Sequence, residues 1–446
     1  MNTERDQILL EIASALSGSS LTFFIGTGFS KFLTKNRAPS WKSLLAKCAE
    51  KIDESTSKEL FEYKNGKLVD CKYDLTICAQ MLEELFKLSN EDIRKTISSI
   101  IKKSTTQKNL DIKRTKRIKD FFERFPGFNI ITTNYDDIIS THLLKDSRVY
   151  VEGSLLPKIS DIKSIYHIHG SITKPESLIV THDDYFKFQH RESYISRKLF
   201  TLLQETTTVI LGYSLQDFNL NRILNEAKYY KGDRKRSDIF YISLNAVDDL
   251  SKRYYFSAYG IQVLDDLGID EFFDAVEDKM DEADDIVRGA KKLPNILRGE
   301  KEYTDNFLKL GKSFINILMR LQTAGYHLNN KMVQNLLIAV IQRKKGFTHV
   351  SDAWSQYAHL AEWLIELGST LEICGTVIEQ IYKDLLIYSF QTMGSRRSKG
   401  QSWEAYDIWM TQVGRLTKAN KKVVKEIITK QFPYVSARNL LPFLET

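Results

Sequence analysis

Cysteine is scarce in this 446-residue chain: Cys48, Cys71, Cys78 and Cys374 are the four, and no two form a C-x-x-C pair. Such scarcity excludes a disulfide scaffold and points to a reducing compartment. It also leaves a structural zinc site without its usual ligand spacing. No apolar run approaches the ~18 residues that cross a bilayer. The first residues, MNTERDQILLEIAS, mix in acids early and lack a signal-peptide layout, so a cytoplasmic chain with no membrane partner is expected. Proline is absent from Asn295 to Phe432, a span in which nothing then interrupts helices. Neither a repeat nor a long low-complexity segment stands out.

What is present suits a protein of two or three domains with real cores: 42% hydrophobic and 27% charged residues. The net charge of +7 is modest, but the basic residues clump at 93–119, 231–236 and 396–399. A nucleic-acid surface and a solvated helical face are both open readings. The longest run has no interleaved aromatics, which favours the solvated face.

Short β-branched runs alternate with helical stretches over the first ~270 residues, the pattern of a parallel α/β sheet. The strand candidates are 21–25, 128–133, 164–169, 207–212, 238–243 and 261–264, each apolar on both faces as doubly covered strands are. About a hundred residues separate the first two, too many for a plain crossover. The spacing therefore predicts inserted helices over about 42–125. Residues 276–291 are acidic and read as a linker. Apolar residues then recur at helical spacing, as in Phe307, Leu310, Phe314, Ile317 and Leu321. The expectation is a Rossmann-like α/β domain at 1–275 and an all-α domain at 292–446.

Ligands bind at the carboxyl ends of strands in open parallel sheets. Five of the expected strands end in small or polar residues: GTGFS (26–30), TTNYD (132–136), HGS (169–171), GYS (212–214) and SLN (243–245). In that order these motifs resemble those of the sirtuin-like NAD-consuming proteins, over about residues 20–270. THDDYFKF (181–188) is similar to the divergent bacterial members. The departures are the missing zinc cysteines, Arg37-Ala38-Pro39-Ser40-Trp41-Lys42 in place of the loop ending in Asp-Phe-Arg, and Thr133 in place of Gln. They resemble the bacterial branch used in antiphage defence, whose members destroy NAD. That branch often adds a regulatory domain or works with a separate sensor protein.

Cleaving the nicotinamide–ribose bond builds oxocarbenium character on the sugar, so catalysis must stabilise it and deliver water. The resemblance assigns Asn134 the catalytic position, and a neutral amide suits water positioning. The alternative is an Asn capping the following helix. Asp136 is expected to meet the nicotinamide carboxamide, and Asp137 to be a helix-start charge. His169 is the acid/base candidate because its pKa sits near neutrality; a structural histidine, or a metal ligand together with His167, is the alternative. Gly26, Thr27, Gly28 and Ser30 are expected to cradle the pyrophosphate. Gly212, Ser214 and Asn245 fall to the adenosine half, each with an ordinary strand-end turn as the alternative. Trp41 either stacks on nicotinamide or anchors the core.

The leading expectation is an NAD glycohydrolase with NAD as substrate and no metal. A protein deacylase or ADP-ribosyltransferase, and a catalytically silent NAD or ADP-ribose sensor, are the alternatives. Apolar helical stripes in the second domain suggest a homo-oligomer.

Overall fold

The computed structural model describes residues 3–154, 163–190, 194–215, 218–231, 238–350, 353–394, 401–431 and 435–444. They fall into two compact units, Met1–Ala283 and Asp284–Thr446. The basic runs at 232–236 and 396–399 lie outside the described residues.

The first unit is built on strands β1 (Leu21–Ile25), β4 (Phe128–Thr132), β5 (Arg148–Tyr150), β6 (Lys163–His167), β7 (Thr207–Leu211), β8 (Ile239–Ile242) and β9 (Ile261–Leu264). They form one sheet in the order β5-β6-β4-β1-β7-β8-β9, parallel throughout. The six strands expected from the sequence are all present, within two residues of their expected ends. Short β5, at the sheet edge, was not foreseen. From β1 the chain builds the half that holds β4, β5 and β6. It then returns past β1 to build the other half from β7. The direction of winding thus switches at the exit of β1, where such sheets open a crevice.

Burial on both faces explains the continuous apolar runs. Phe23 packs beneath the sheet against Phe122 and Phe128, at 5.4 and 5.5 Å between ring centroids. Phe24, next along the strand, faces the opposite layer with Ile131, Ile210, Leu199 and Leu203. Each such side chain contributes roughly 1.5–3 kcal/mol through burial.

Between β1 and β4 stand helices Trp41–Ile52, Glu54–Leu60, Leu75–Leu88, Ile93–Ser104 and Ile112–Glu123. Ser40, Asp53, Asp74, Asp92 and Asp111 start these helices by accepting an amide N–H of the first turn. Such a cap contributes ~1 kcal/mol. The segment is not purely helical, however. An antiparallel hairpin, β2 (Phe61–Lys64) and β3 (Lys67–Cys71), turns at Asn65-Gly66, where both φ values are positive (51° and 72°). That is the Asn-Gly hairpin signature. The hairpin carries Cys71 to Cys78 on the next helix, and the two are paired as a disulfide. Cys48 is buried, which pushes its thiol up to about 12, and Cys374 is exposed.

Where a linker was expected at 276–291, the chain is helical: Ile269–Glu277 ends and Met280–Leu297 follows. Ala283, Ile286, Val287, Ala290 and Leu293 are buried at helical spacing, so the acids occupy the other side of the helix. The second unit contains no strand among its described residues. Its core gathers Leu337, Val340, Trp363, Leu364, Leu386 and Trp409, among others, and both tryptophans are fully buried. The architecture is α/β followed by all-α.

Candidate active site at the exit of the central strand

Glycine permits the closest contact in the crevice. A Cβ on Gly26 would lie 2.6 Å from the Gly212 carbonyl oxygen, and one on Gly28 would lie 2.8 Å from the Gly212 Cα. Gly212 itself has φ +63°, and a Cβ there would fall 2.3 Å from the Phe29 nitrogen. The exits of β1 and β7 therefore meet through three bare backbones. Their amides are engaged in that contact: Gly26 N–H donates to Leu211 O (2.9 Å) and Gly28 N–H to Gly212 O (2.7 Å). The two glycines thus shape the crevice through their missing side chains, while the amides hold β7.

Asn134 stands just past β4, buried, with its amide held on three sides. Its Nδ2 donates to Gly26 O at 3.0 Å and to Ser30 Oγ at 2.9 Å, and its Oδ1 accepts from Thr27 Oγ1 at 3.3 Å. Ser30 in turn donates to Asp136 Oδ2 at 2.7 Å. One network therefore joins Thr27, Asn134, Ser30 and Asp136, contributed by the exits of β1 and β4. Asp136 also accepts the Ile138 amide through Oδ1 at 3.2 Å, and Asp137, directly before the helical turn, accepts the Thr141 amide on its carbonyl at 2.9 Å. Burial pushes the Asp136 carboxyl up to about 6, against the bonds from Ser30 and Ile138.

His169 is buried past β6, its ring edge-on to Tyr185 (5.4 Å) and Phe188 (6.0 Å). Gly170 follows at φ +87°, and a Cβ there would fall 2.2 Å from the Ser177 carbonyl oxygen, so the turn after His169 requires glycine. His167 has a separate role: its Nδ1 meets the Asn134 carbonyl at 2.9 Å, and burial lowers its pKa. Trp41 packs edge-on to Tyr135 (5.7 Å) at the rim of the insertion core, as an anchor does.

Ser214 and Asn245 are exposed, and no hydrogen bond joins their side chains to this network among the described residues. Ser243 Oγ donates to the Asn245 carbonyl at 2.8 Å, an ordinary turn contact. Two contributors went unforeseen. Thr132 is fully buried; its Oγ1 donates to Ile25 O (2.9 Å) and accepts the Asn134 amide (3.0 Å), clamping β1 to β4 beneath the site. Arg94 donates to Leu178 O (3.2 Å) and pairs with Asp184 (2.5 Å) and Glu83, bracing the segment behind His169. Thr181 and Asp184 bond reciprocally, as Asp184 N–H donates to Thr181 Oγ1 (3.2 Å) and Thr181 N–H to Asp184 Oδ2 (3.0 Å). The T-x-x-D spacing of a capping box was the legible signal.

Residues 129–264, from β4 to β9, match the SIR2-like domain family. Defense-associated sirtuin 2 of Bacillus subtilis is 23% identical over 265 residues, 58% of this chain and 24% of that protein. The NAD(+) hydrolase ThsA of Bacillus cereus (strain MSX-D12) is 24% identical over 236 residues, covering 52% of this chain and 43% of its own length. Its namesake from Cytobacillus dafuensis is 25% identical over 244 residues, 53% and 44%. The chain therefore spans less than half the length of these relatives. The SIR2-like match begins within β4, so β1 and its glycine turn enter the site from outside the matched range.

Proposed function

We propose that the protein is an NAD glycohydrolase, using water to split NAD into nicotinamide and ADP-ribose, and that it acts in the cytoplasm in antiphage defence. The observation that carries this reading is the Thr27–Asn134–Ser30–Asp136 network at the winding switch. The names of the relatives, NAD(+) hydrolase and defense-associated sirtuin, support the substrate and the setting. The pyrophosphate lies along the turn Gly26–Ser30, with Thr27 and Ser30 at its edge and Gly26 and Gly28 letting the exits of β1 and β7 close up beneath it. Gly212, Ser214 and Asn245 serve the adenosine half.

Asn134 places the attacking water. Its carboxamide is fixed by Gly26 and Ser30, and one lone pair of Oδ1 remains beside the Thr27 bond. A neutral amide orients water toward a developing cation without adding to it as a nucleophile would. His169 moves the proton. Asp136, partly protonated near pH 6, bonds the nicotinamide carboxamide. The chemistry calls for no metal.

A hydrolase that depletes its own cell's NAD needs restraint. Residues 292–446 supply it by assembling copies of the chain or by receiving a separate sensor protein. Incubating the purified protein with NAD and following nicotinamide release tests the activity. Bound NAD without cleavage under any activating condition would mark a silent sensor instead. Light scattering of the intact chain and of a chain lacking 292–446 tests assembly, with unchanged subunit number opposing it.

A further inference from the structure

The basic run 93–119 divides by residue type. Its arginines are committed within the unit. Arg94 holds Glu83 and Asp184, Arg114 reaches Asp270, and Arg117 pairs with Asp270 and Asp274. The lysines of the 93–104 helix behave differently. Lys95, Lys102 and Lys103 are exposed and make no ion pair among the described residues. With Ser98, Ser99, Thr106 and Pro175 they line an open groove of about 470 Å³. No carboxylate lines it. The Thr106 hydroxyl is sealed from solvent without a hydrogen-bond partner.

We infer that this groove binds a small, multiply phosphorylated anion. Three ammonium groups without ion-pair partners, with the exposed Ser99 among them, match a short run of phosphate oxygens. Lys95 and Lys103 lie about 12 Å apart along the helix axis, a span suited to a few linked phosphates. A nucleic-acid footprint fits less well: the groove has no aromatic wall for base stacking and no arginine to read base edges. The groove is separate from the proposed NAD crevice, although its Pro175 wall opens the turn Pro175–Ser177 whose last carbonyl packs on Gly170.

Titration calorimetry on the full-length chain tests the site with tripolyphosphate, a nucleoside triphosphate and a 20-nucleotide single strand, in the presence of excess NAD and with Asn134→Ala to prevent turnover. The expected result is one-site binding of the first two probes, weakened by salt. Combined Lys95→Ala, Lys102→Ala and Lys103→Ala should weaken it about 10-fold or more at an unchanged melting temperature. Equal affinity for the two small probes assigns recognition to the phosphate chain; tighter nucleoside triphosphate binding adds the nucleoside. Binding that survives the triple substitution, binding of the strand alone, or no binding overturns the inference. Because catalysis is disabled throughout, failure here leaves the hydrolase reading untouched.

Discussion

Both units bury polar side chains, but to different ends. In the helical unit Asn420 and Lys344 serve the carbonyls at helix ends. Asn420 is fully buried; it donates to Gly368 O and Leu371 O, both at 2.7 Å, and accepts the Ile373 amide at 3.1 Å. Lys344, equally buried, donates to Leu308 O (2.9 Å) and Gln356 Oε1 (2.9 Å) and lies over the Trp363 ring. These groups fill the acceptor and donor needs of helix ends. In the α/β unit, Asn134, Ser30 and Asp136 bond to one another at the strand exits. Burial shifts titration in both units, pushing the Asp136 carboxyl up to about 6 and the Lys344 ammonium down to about 7. The difference lies in the partners: Lys344 serves helix ends, whereas Asp136 belongs to a side-chain network at the strand exits.

Four substitutions sharpen or break that contrast. His169→Ala should lower nicotinamide release roughly 100-fold or more, with a native circular-dichroism spectrum; undiminished release would return His169 to a structural role. Gly212→Ala combines a positive φ with a contact that backbone cannot yield, so a stability loss of roughly 3 kcal/mol or more is expected in denaturant titration. Wild-type stability there would mean that the β1 and β7 exits separate freely.

Asp136→Asn tests the poised carboxyl. Its folded pKa, about 6, exceeds the ordinary carboxylate value of 3.8. The folded state therefore binds more proton between those values, and this group's contribution to stability falls as pH rises from about 4 to about 6. The substitution should flatten that slope and raise stability at pH 8 by up to about 3 kcal/mol. A slope kept by the variant would place the titration elsewhere. Lys344→Met strands the acceptors that Lys344 served, a loss of about 1–3 kcal/mol. It should leave nicotinamide release per folded molecule unchanged, since its role is to hold helix ends. A selective loss of turnover would erase the contrast between the units.

The strands were legible because both faces are covered, which leaves uninterrupted apolar runs such as Leu21–Ile25. The hairpin was legible too, in Asn65-Gly66, but the leucine- and lysine-rich surroundings outweighed it. At the site, Asn134, Ser30 and Asp136 are marked by their places at strand ends, since position alone puts them in the crevice. What made Gly26 and Gly28 necessary was not legible: their partner, Gly212, is remote in sequence and meets them only once β7 lies beside β1. Thr132 was hidden for a similar reason, because threonine inside a strand looks like simple β propensity until its hydroxyl finds Ile25 on the neighbouring strand.

The central claim is that the amide of Asn134, fixed by Thr27, Gly26 and Ser30, positions the water that cleaves NAD. Its most direct test is the rate of nicotinamide release by Asn134→Ala under conditions in which the unaltered protein is active, with NAD binding and thermal unfolding measured on the same sample. The account predicts a fall of about 100- to 1,000-fold in a variant that still folds and still binds NAD. Release at the rate of the unaltered protein, from a folded and NAD-binding variant, would contradict it.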